Sequence, residues 1–210
     1  PQMEAIAALA DGKALKMHVV AAMLCDPTLP LEPKIELFKE LRQSADRQHI
    51  KATAVKILVD GVATSYSAAM LEPYADREAD GVTGTPLIPR AEMIDLVTRL
   101  DALGFQIHFH SIGDAATRYS LDAIEAARAQ NGERDSRHHI SHIMVWDPAD
   151  FGRVVDLDVI ANFQALWAYR DTHYDEITRV RMGETRSNYI YPINTLHKRG
   201  AKLAFGSDWY

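Results

Sequence analysis

His108-Phe109-His110-Ser111-Ile112-Gly113-Asp114 places two imidazoles and a carboxylate directly after the apolar run Gly104-Phe105-Gln106-Ile107. The run reads as a short buried strand that feeds a turn and then a helix. A histidine at the carboxyl end of a buried strand is poorly placed for packing alone and well placed to hold a metal ion. Two further segments repeat the design: His142 ends the apolar run before the turn at Asp147-Pro148, and Asp208 follows Lys202-Leu203-Ala204-Phe205-Gly206-Ser207. Three ligand-type residues at three strand ends point to a metal-dependent hydrolase. Imidazole nitrogen and carboxylate oxygen suit zinc. A divalent metal lowers the pKa of bound water from about 15.7 towards about 7 and polarises a carbonyl as a Lewis acid.

The elements that must carry these residues alternate between apolar runs and amphipathic stretches, the pattern of βα units on a parallel sheet. Strands are predicted over residues 15–23, 54–59, 105–110, 138–143, 157–162 and 202–206. Helices are predicted over 32–48, 90–103, 114–130 and 189–199, with a further one opened by Asp147-Pro148. Gly104, Gly132 and Gly200 stand where helices end. The connections 61–89 and 163–188 are long and without clean periodicity. Loops of that length read as covers over a substrate site, the alternative being peripheral decoration.

With 210 residues, 47% hydrophobic and 25% charged, the chain can bury one sizeable core, and residues 1–210 read as a single domain. A net charge of −6 with scattered basic residues argues against a nucleic-acid surface. No apolar stretch approaches the roughly 18–20 residues of a membrane span. Cys25, alone in the sequence, excludes an internal disulfide, reads as a small buried apolar residue, and fits a reducing, cytoplasmic setting. The opening at Pro1 and the stop at Trp209-Tyr210 read as the ends of an internal piece.

Val55-Lys56-Ile57-Leu58-Val59-Asp60-Gly61, His110-Ser111-Ile112-Gly113-Asp114-Ala115, Ser141-His142 and Gly206-Ser207-Asp208-Trp209 resemble, in order and spacing, the amidohydrolase superfamily. They resemble most its amidohydrolase-3 branch, which includes enzymes like N-substituted formamide deformylase. The resemblance implies an α/β fold, a partial TIM-like (β/α)8 barrel made of strands three to eight of the metal-dependent hydrolase fold. By the same resemblance Lys56 matches a fourth-strand lysine that is often carboxylated and bridges two metals. His110 matches the fifth-strand ligand, His142 the sixth-strand ligand, and Asp208 the eighth-strand aspartate, a proton shuttle and partial ligand. The first-strand His-x-His of the family is absent, since no such pair precedes residue 108. The first two strands and the flanking β domain are therefore expected to be missing.

The implied cofactor is a divalent metal, zinc above others, as one or two ions. The implied substrate is a small-molecule amide or cyclic amide cleaved at a non-peptide carbon–nitrogen bond. Other readings of the same residues stay open. Lys56 suits an ion pair with Asp60 or Asp208, and His108 suits a substrate contact or a hydrogen-bonded support for the ligands. Trp167 and Tyr169 suit a substrate pocket or a loop anchor. His18, His49, His138, His139, His173 and His197 read as packed or solvated structural residues, and Asp114 as favourable charge at a helix start. The alternative function is a scaffold or interaction domain that retains ligands without a working site. Open barrel edges would let copies associate.

Overall fold

The six apolar runs lie side by side as one parallel sheet in the computed structural model, which describes residues 2–208. The strands are β1 (Val19–Leu24), β2 (Ile50–Leu58), β3 (Gln106–Ser111), β4 (His139–His142), β5 (Ile160–Phe163) and β6 (Lys202–Phe205). Sheet order equals chain order and every pair is parallel. The helices are α1 (Gln2–Asp11), α2 (Leu31–Ala45), α3 (Arg90–Ala102), α4 (Asp114–Asn131), α5 (Arg153–Asp156), α6 (Arg179–Ser187) and α7 (Ile193–Lys198). This is the strand order of a TIM-like barrel lacking closure, an α/β partial barrel with β1 and β6 as its two edges.

Strand alternation sorts the side chains into two faces. Ile57, Phe109, Ile140 and Ala161 are register neighbours across β2 to β5, and none exposes any surface. Leu96 and Leu100 of α3 and Leu121 of α4 join them in one apolar core. The opposite face carries Lys56, His108 and His139 in one row and Leu58, His110, Ser141 and Asn162 in the next. A face that buries Ile and Phe under helices drives folding through lost apolar surface. The polar face is left for chemistry.

Several element limits differ from the sequence expectation. β2 begins at Ile50, because Ile50, Ala52 and Ala54 extend the buried alternation backwards. β5 starts only at Ile160, since Leu157 closes α5 and Asp158 takes a left-handed backbone, φ 55°. α7 starts at Ile193 behind Pro192, not at Tyr189. α1 was not expected at all. His18 lies just before β1, exposed and against the His49 ring, rather than inside the strand. The stretch 163–188 is not bare loop: a short helical turn at Ala165–Ala168 and a π-helical turn at Tyr174–Thr178 lead into α6. Cys25 is buried, as expected, and burial pushes its thiol up to about 11. No described helix is long and apolar enough to cross a membrane.

Candidate metal centre

Two imidazoles meet at the carboxyl ends of β3 and β4. The rings of His110 and His142 have centroids 4.4 Å apart. His110 reaches the polar face by plain alternation, two residues after His108. His142 does not, because it stands beside Ser111, which belongs to the helix-covered face. Successive left-handed residues, His142 at φ 80° and Ile143 at φ 47°, turn the chain there. Such backbone is uncommon for non-glycine residues and concentrates at functional sites.

Each imidazole has one nitrogen committed. His110 Nε2–H donates to the Gly61 carbonyl at 3.1 Å, leaving Nδ1 with its lone pair. His142 Nδ1 lies 2.7 Å from Gln164 Oε1 and donates to it, leaving Nε2. The His142 ring also stacks on Trp167, at 5.3 Å and 14°. Burial, with His110 and Lys56 nearby, holds His142 down to about 3, and burial lowers His110 as well. Both rings are therefore neutral near pH 7, the form that binds a metal, and each is oriented by a fixed acceptor.

Lys56, half-buried on β2, points its Nζ at His108 Nε2 at 3.0 Å, and Ser141 Oγ lies 2.8 Å from the same nitrogen. That nitrogen is the acceptor, so the His108 proton sits on Nδ1. Burial pulls Lys56 down to about 8, with the Asp208 charge opposing, and holds His108 near 2. Lys56 thus pairs with an imidazole rather than with Asp60 or Asp208. His108 supports Lys56 and does not line the neighbouring cavity.

The remaining motif residues build the frame. Asp60, 2% exposed, accepts from the backbone N–H groups of Ile112, Gly113 and Ala69 at 3.0, 2.9 and 2.9 Å. Burial pushes its carboxyl up to about 7 in spite of those donors. Asp114 accepts from Leu71 N and Ala115 N, so it holds the 61–89 connection besides favouring the α4 start. A Cβ at Gly113 would stand 1.9 Å from the Ala69 carbonyl oxygen, so only glycine lets the two segments touch. Arg181 donates to Ala63 O, and Arg186 to Glu72 O and Pro73 O, which locks the two long connections together.

Of the residues singled out by sequence, Lys56 and His108 form one hydrogen-bonded pair, and His110, His142 and Trp167 form one ring cluster. Asp208 is exposed just beyond β6, with a left-handed backbone, and its charge acts on both Lys56 and His110. Tyr169 is 71% exposed at the rim of a cavity of about 340 Å³ that Trp167 also lines. His138 and His139 are not solvated. His138 is buried with Nε2 on Asp101 and Nδ1 accepting from Ile107 N, and His139 lies against the His108 ring. Gln164 and Ser141 were not singled out as site residues. Gln164, two residues beyond Asn162 at the end of β5, carried a strand-end signal of its own.

Among the described residues no three His, Cys, Asp or Glu side chains converge on one point. The donor set still fits a metal: two neutral imidazoles with open nitrogens, and an amine whose burial lowers its pKa. A third donor would have to come from Lys56.

An open parallel barrel sheet with paired histidines at its strand ends is the architecture of the metal-dependent hydrolase fold. The chain belongs to the amidohydrolase family, whose pattern matches residues 1–210. It is 30% identical over 155 residues to Protein LONG AFTER FAR-RED 3 of Arabidopsis thaliana, covering 74% of this chain and 26% of that protein. It is 26% identical over 165 residues to N-substituted formamide deformylase of Arthrobacter pascens, covering 76% of this chain and 28% of that one. A crystal structure of an uncharacterized metal-dependent hydrolase from Pyrococcus furiosus superposes with a TM-score of 0.75 at 25% identity, over 98% of this chain and 40% of that chain. The chain thus spans about a quarter of the length of those two curated relatives.

Proposed function

We propose that residues 1–210 are one catalytic-barrel unit of a metal-dependent hydrolase that cleaves a non-peptide carbon–nitrogen bond, in an amide or cyclic amide. The observation that carries this reading is the His110–His142 pair, each ring oriented by its own acceptor and left with an open nitrogen. In this reading His110 and His142 hold a divalent ion, zinc by the chemistry of its donors, with Lys56 as third donor, carboxylated at Nζ. Such an ion supplies Lewis acidity and lowers the pKa of water, the two needs of amide hydrolysis near neutral pH.

The protein's own groups do the rest. Gly61 and Gln164 keep the rings aimed, and His108 with Ser141 fixes the Lys56 amine. Asp208, exposed and close enough to act on both Lys56 and His110, takes a proton and returns it to the leaving nitrogen. Trp167 and Tyr169 border the substrate. The kinship with a formamide deformylase supports a carbon–nitrogen bond as the target.

A second reading, a scaffold without a working centre, is favoured by one observation: Lys56 faces His108, and no third His, Cys, Asp or Glu joins the pair among the described residues. Zinc uptake separates the two. Elemental analysis after dialysis against a weak chelator is expected to find near-stoichiometric zinc in the protein and none in His142→Ala. Equal, negligible zinc in both would reject the hydrolase reading for this chain. In either reading the β1 and β6 edges invite pairing between copies, and a monodisperse monomer on size-exclusion chromatography would rule that out.

A further inference from the structure

The cavity of about 340 Å³ beside the paired histidines has a composition of its own. Its walls include Ile112 and Met144, next to the ends of β3 and β4, with Leu166 and Trp167 from the segment that stacks on His142. Tyr191 forms part of the wall. These are apolar or aromatic surfaces, and a concave site of this size and character binds small organic groups. Of the other titratable side chains in its lining, Asp171, His173 and Tyr169 are exposed and Tyr174 is half-buried, and the Asp171 carboxylate would repel an anion.

Tyr191 is the unusual wall residue. Its backbone is left-handed, φ 44°, a conformation an aromatic side chain rarely adopts. Its N–H on Met144 O at 2.9 Å and its carbonyl under Ile193 N at 2.7 Å hold it there. The ring packs against both apolar clusters of the molecule. Its hydroxyl makes no hydrogen bond among the described residues. Burial pushes the phenol up to about 12, so it keeps its proton as a donor at neutral pH. A strained backbone that brings an unused donor to the wall of an apolar cavity is what recognition of a polar group on an apolar ligand requires.

We propose that this cavity receives an uncharged, ring-sized apolar substituent of the amide substrate, and that Tyr191 is a specificity-determining residue whose hydroxyl donates to the amide carbonyl that bears that group. The proposal rests on the hydrolase reading only in taking the ligand to be an amide. It leaves open whether the ring belongs to the acyl or the amine half, and the test separates these.

The test compares three uncharged amides by ligand-observed NMR titration of the metal-free protein, so that no turnover is needed. N-benzylacetamide carries its ring on the amine side, N-methyl-2-phenylacetamide carries it on the acyl side, and N-methylacetamide has none. One ring-bearing amide is expected to bind at least about tenfold tighter than N-methylacetamide, which identifies the half that enters the cavity. Tyr191→Phe is expected to weaken that amide by about threefold to tenfold. Thr64→Trp, an exposed cavity residue whose replacement should leave the core intact, is expected to bring the ring preference close to one. Equal binding of all three amides, or a ring preference that survives Thr64→Trp, would overturn the pocket. Unchanged binding in Tyr191→Phe would overturn the role of its hydroxyl. A ring preference in a protein that takes up no zinc would sustain this proposal while the hydrolase reading fails.

Discussion

Asp60→Asn isolates the clamp that holds the candidate centre together. The native carboxylate accepts Ile112 N–H on Oδ1 and both Gly113 N–H and Ala69 N–H on Oδ2, all within 3.0 Å and out of contact with water. An amide of the same shape retains one oxygen. Its better orientation keeps the two bonds to Oδ2 and sets its NH2 against Ile112 N–H, donor to donor. One buried N–H is then unpaired, which costs about 1–3 kcal/mol. For a domain of this size each kcal/mol moves Tm by about 2–4 °C, so Asp60→Asn should lower Tm by about 2–12 °C. Asp60→Ala leaves all three donors unpaired, a cost of about 3–9 kcal/mol and comparable to the whole stability of a domain. The damage should reach the metal. Gly61, the next residue, supplies the carbonyl that fixes His110, and loss of such an orienting partner lowers metal affinity by about 10–100-fold. Thermal unfolding followed by circular dichroism reads the first effect, and zinc competition with a chromophoric chelator reads the second. An Asp60→Asn protein that melts within about 1 °C of the parent and binds zinc equally would refute the clamp.

Three further outcomes follow from buried charge. Asp101 is raised by its burial, but bonds from His138, Asn131 and Arg134 outweigh that and hold it down to about 2. Its folded pKa is below the unfolded value of about 3.9, so the stability it contributes is complete above that pH and is lost as pH falls towards 2. Asp101→Asn should cost about 3–5 kcal/mol in urea unfolding at pH 7, and parental stability there would contradict the argument. Burial holds His108, His139 and His142 down to about 2, 4 and 3, so these rings enter the folded state neutral. Their contribution is full above the unfolded value of about 6.5 and declines as pH drops, by about 4 kcal/mol per pH unit for the three together below about pH 5.5, while Asp60, held up to about 7, offsets about 1.4 kcal/mol per unit of that decline. Urea titrations at pH 7, 6 and 5 measure that slope, and a flat profile would be inconsistent with neutral buried rings. Lys34 is 1% exposed and its Nζ has no hydrogen-bond partner among the described residues, with Glu92 3.8 Å away and itself 42% exposed. Lys34→Met should raise stability by about 1–4 kcal/mol, and a lowered Tm would show the amine to be usefully paired.

The motif His110-Ser111-Ile112-Gly113-Asp114 shows where sequence reading succeeds and where it stops. The order of elements was legible because apolar runs and helical stretches alternate with glycine at helix ends, and Gly104 does sit at φ 79° just past α3. His110 as a candidate was legible because alternation along one strand fixes its face. The partnership of the same motif with Asp60 was not, since it is a contact between residues 52 and 53 positions apart. Asp60-Gly61 reads locally as turn punctuation, and nothing in a single sequence says that its carboxylate serves a later strand end. The direction of His142 was equally hidden. Strand alternation sets it on the helix-covered face, and left-handed backbone at His142 and Ile143, neither a glycine, announces no turn in the residue types.

These hidden contacts share a physical logic. Ligand types mark a candidate centre, but an imidazole binds a metal more tightly when its second nitrogen is held, and the holders here are Gly61 on one long connection and Gln164 at the start of the other. The same connections are fastened by Asp60 and Asp114 beneath and by Arg181 and Arg186 across. Stretch 61–89, and 163–188 ahead of α6, lack periodicity because their side chains answer to this frame rather than to a long helix or strand face. Ring orientation comes from these two segments, which also supply much of the cavity wall, while Asp60, Ile112, Met144 and Tyr191 border them. Substitutions that loosen either segment should change zinc affinity and ligand preference together, whereas changes on α3, or on α4 beyond Asp114, should alter stability alone.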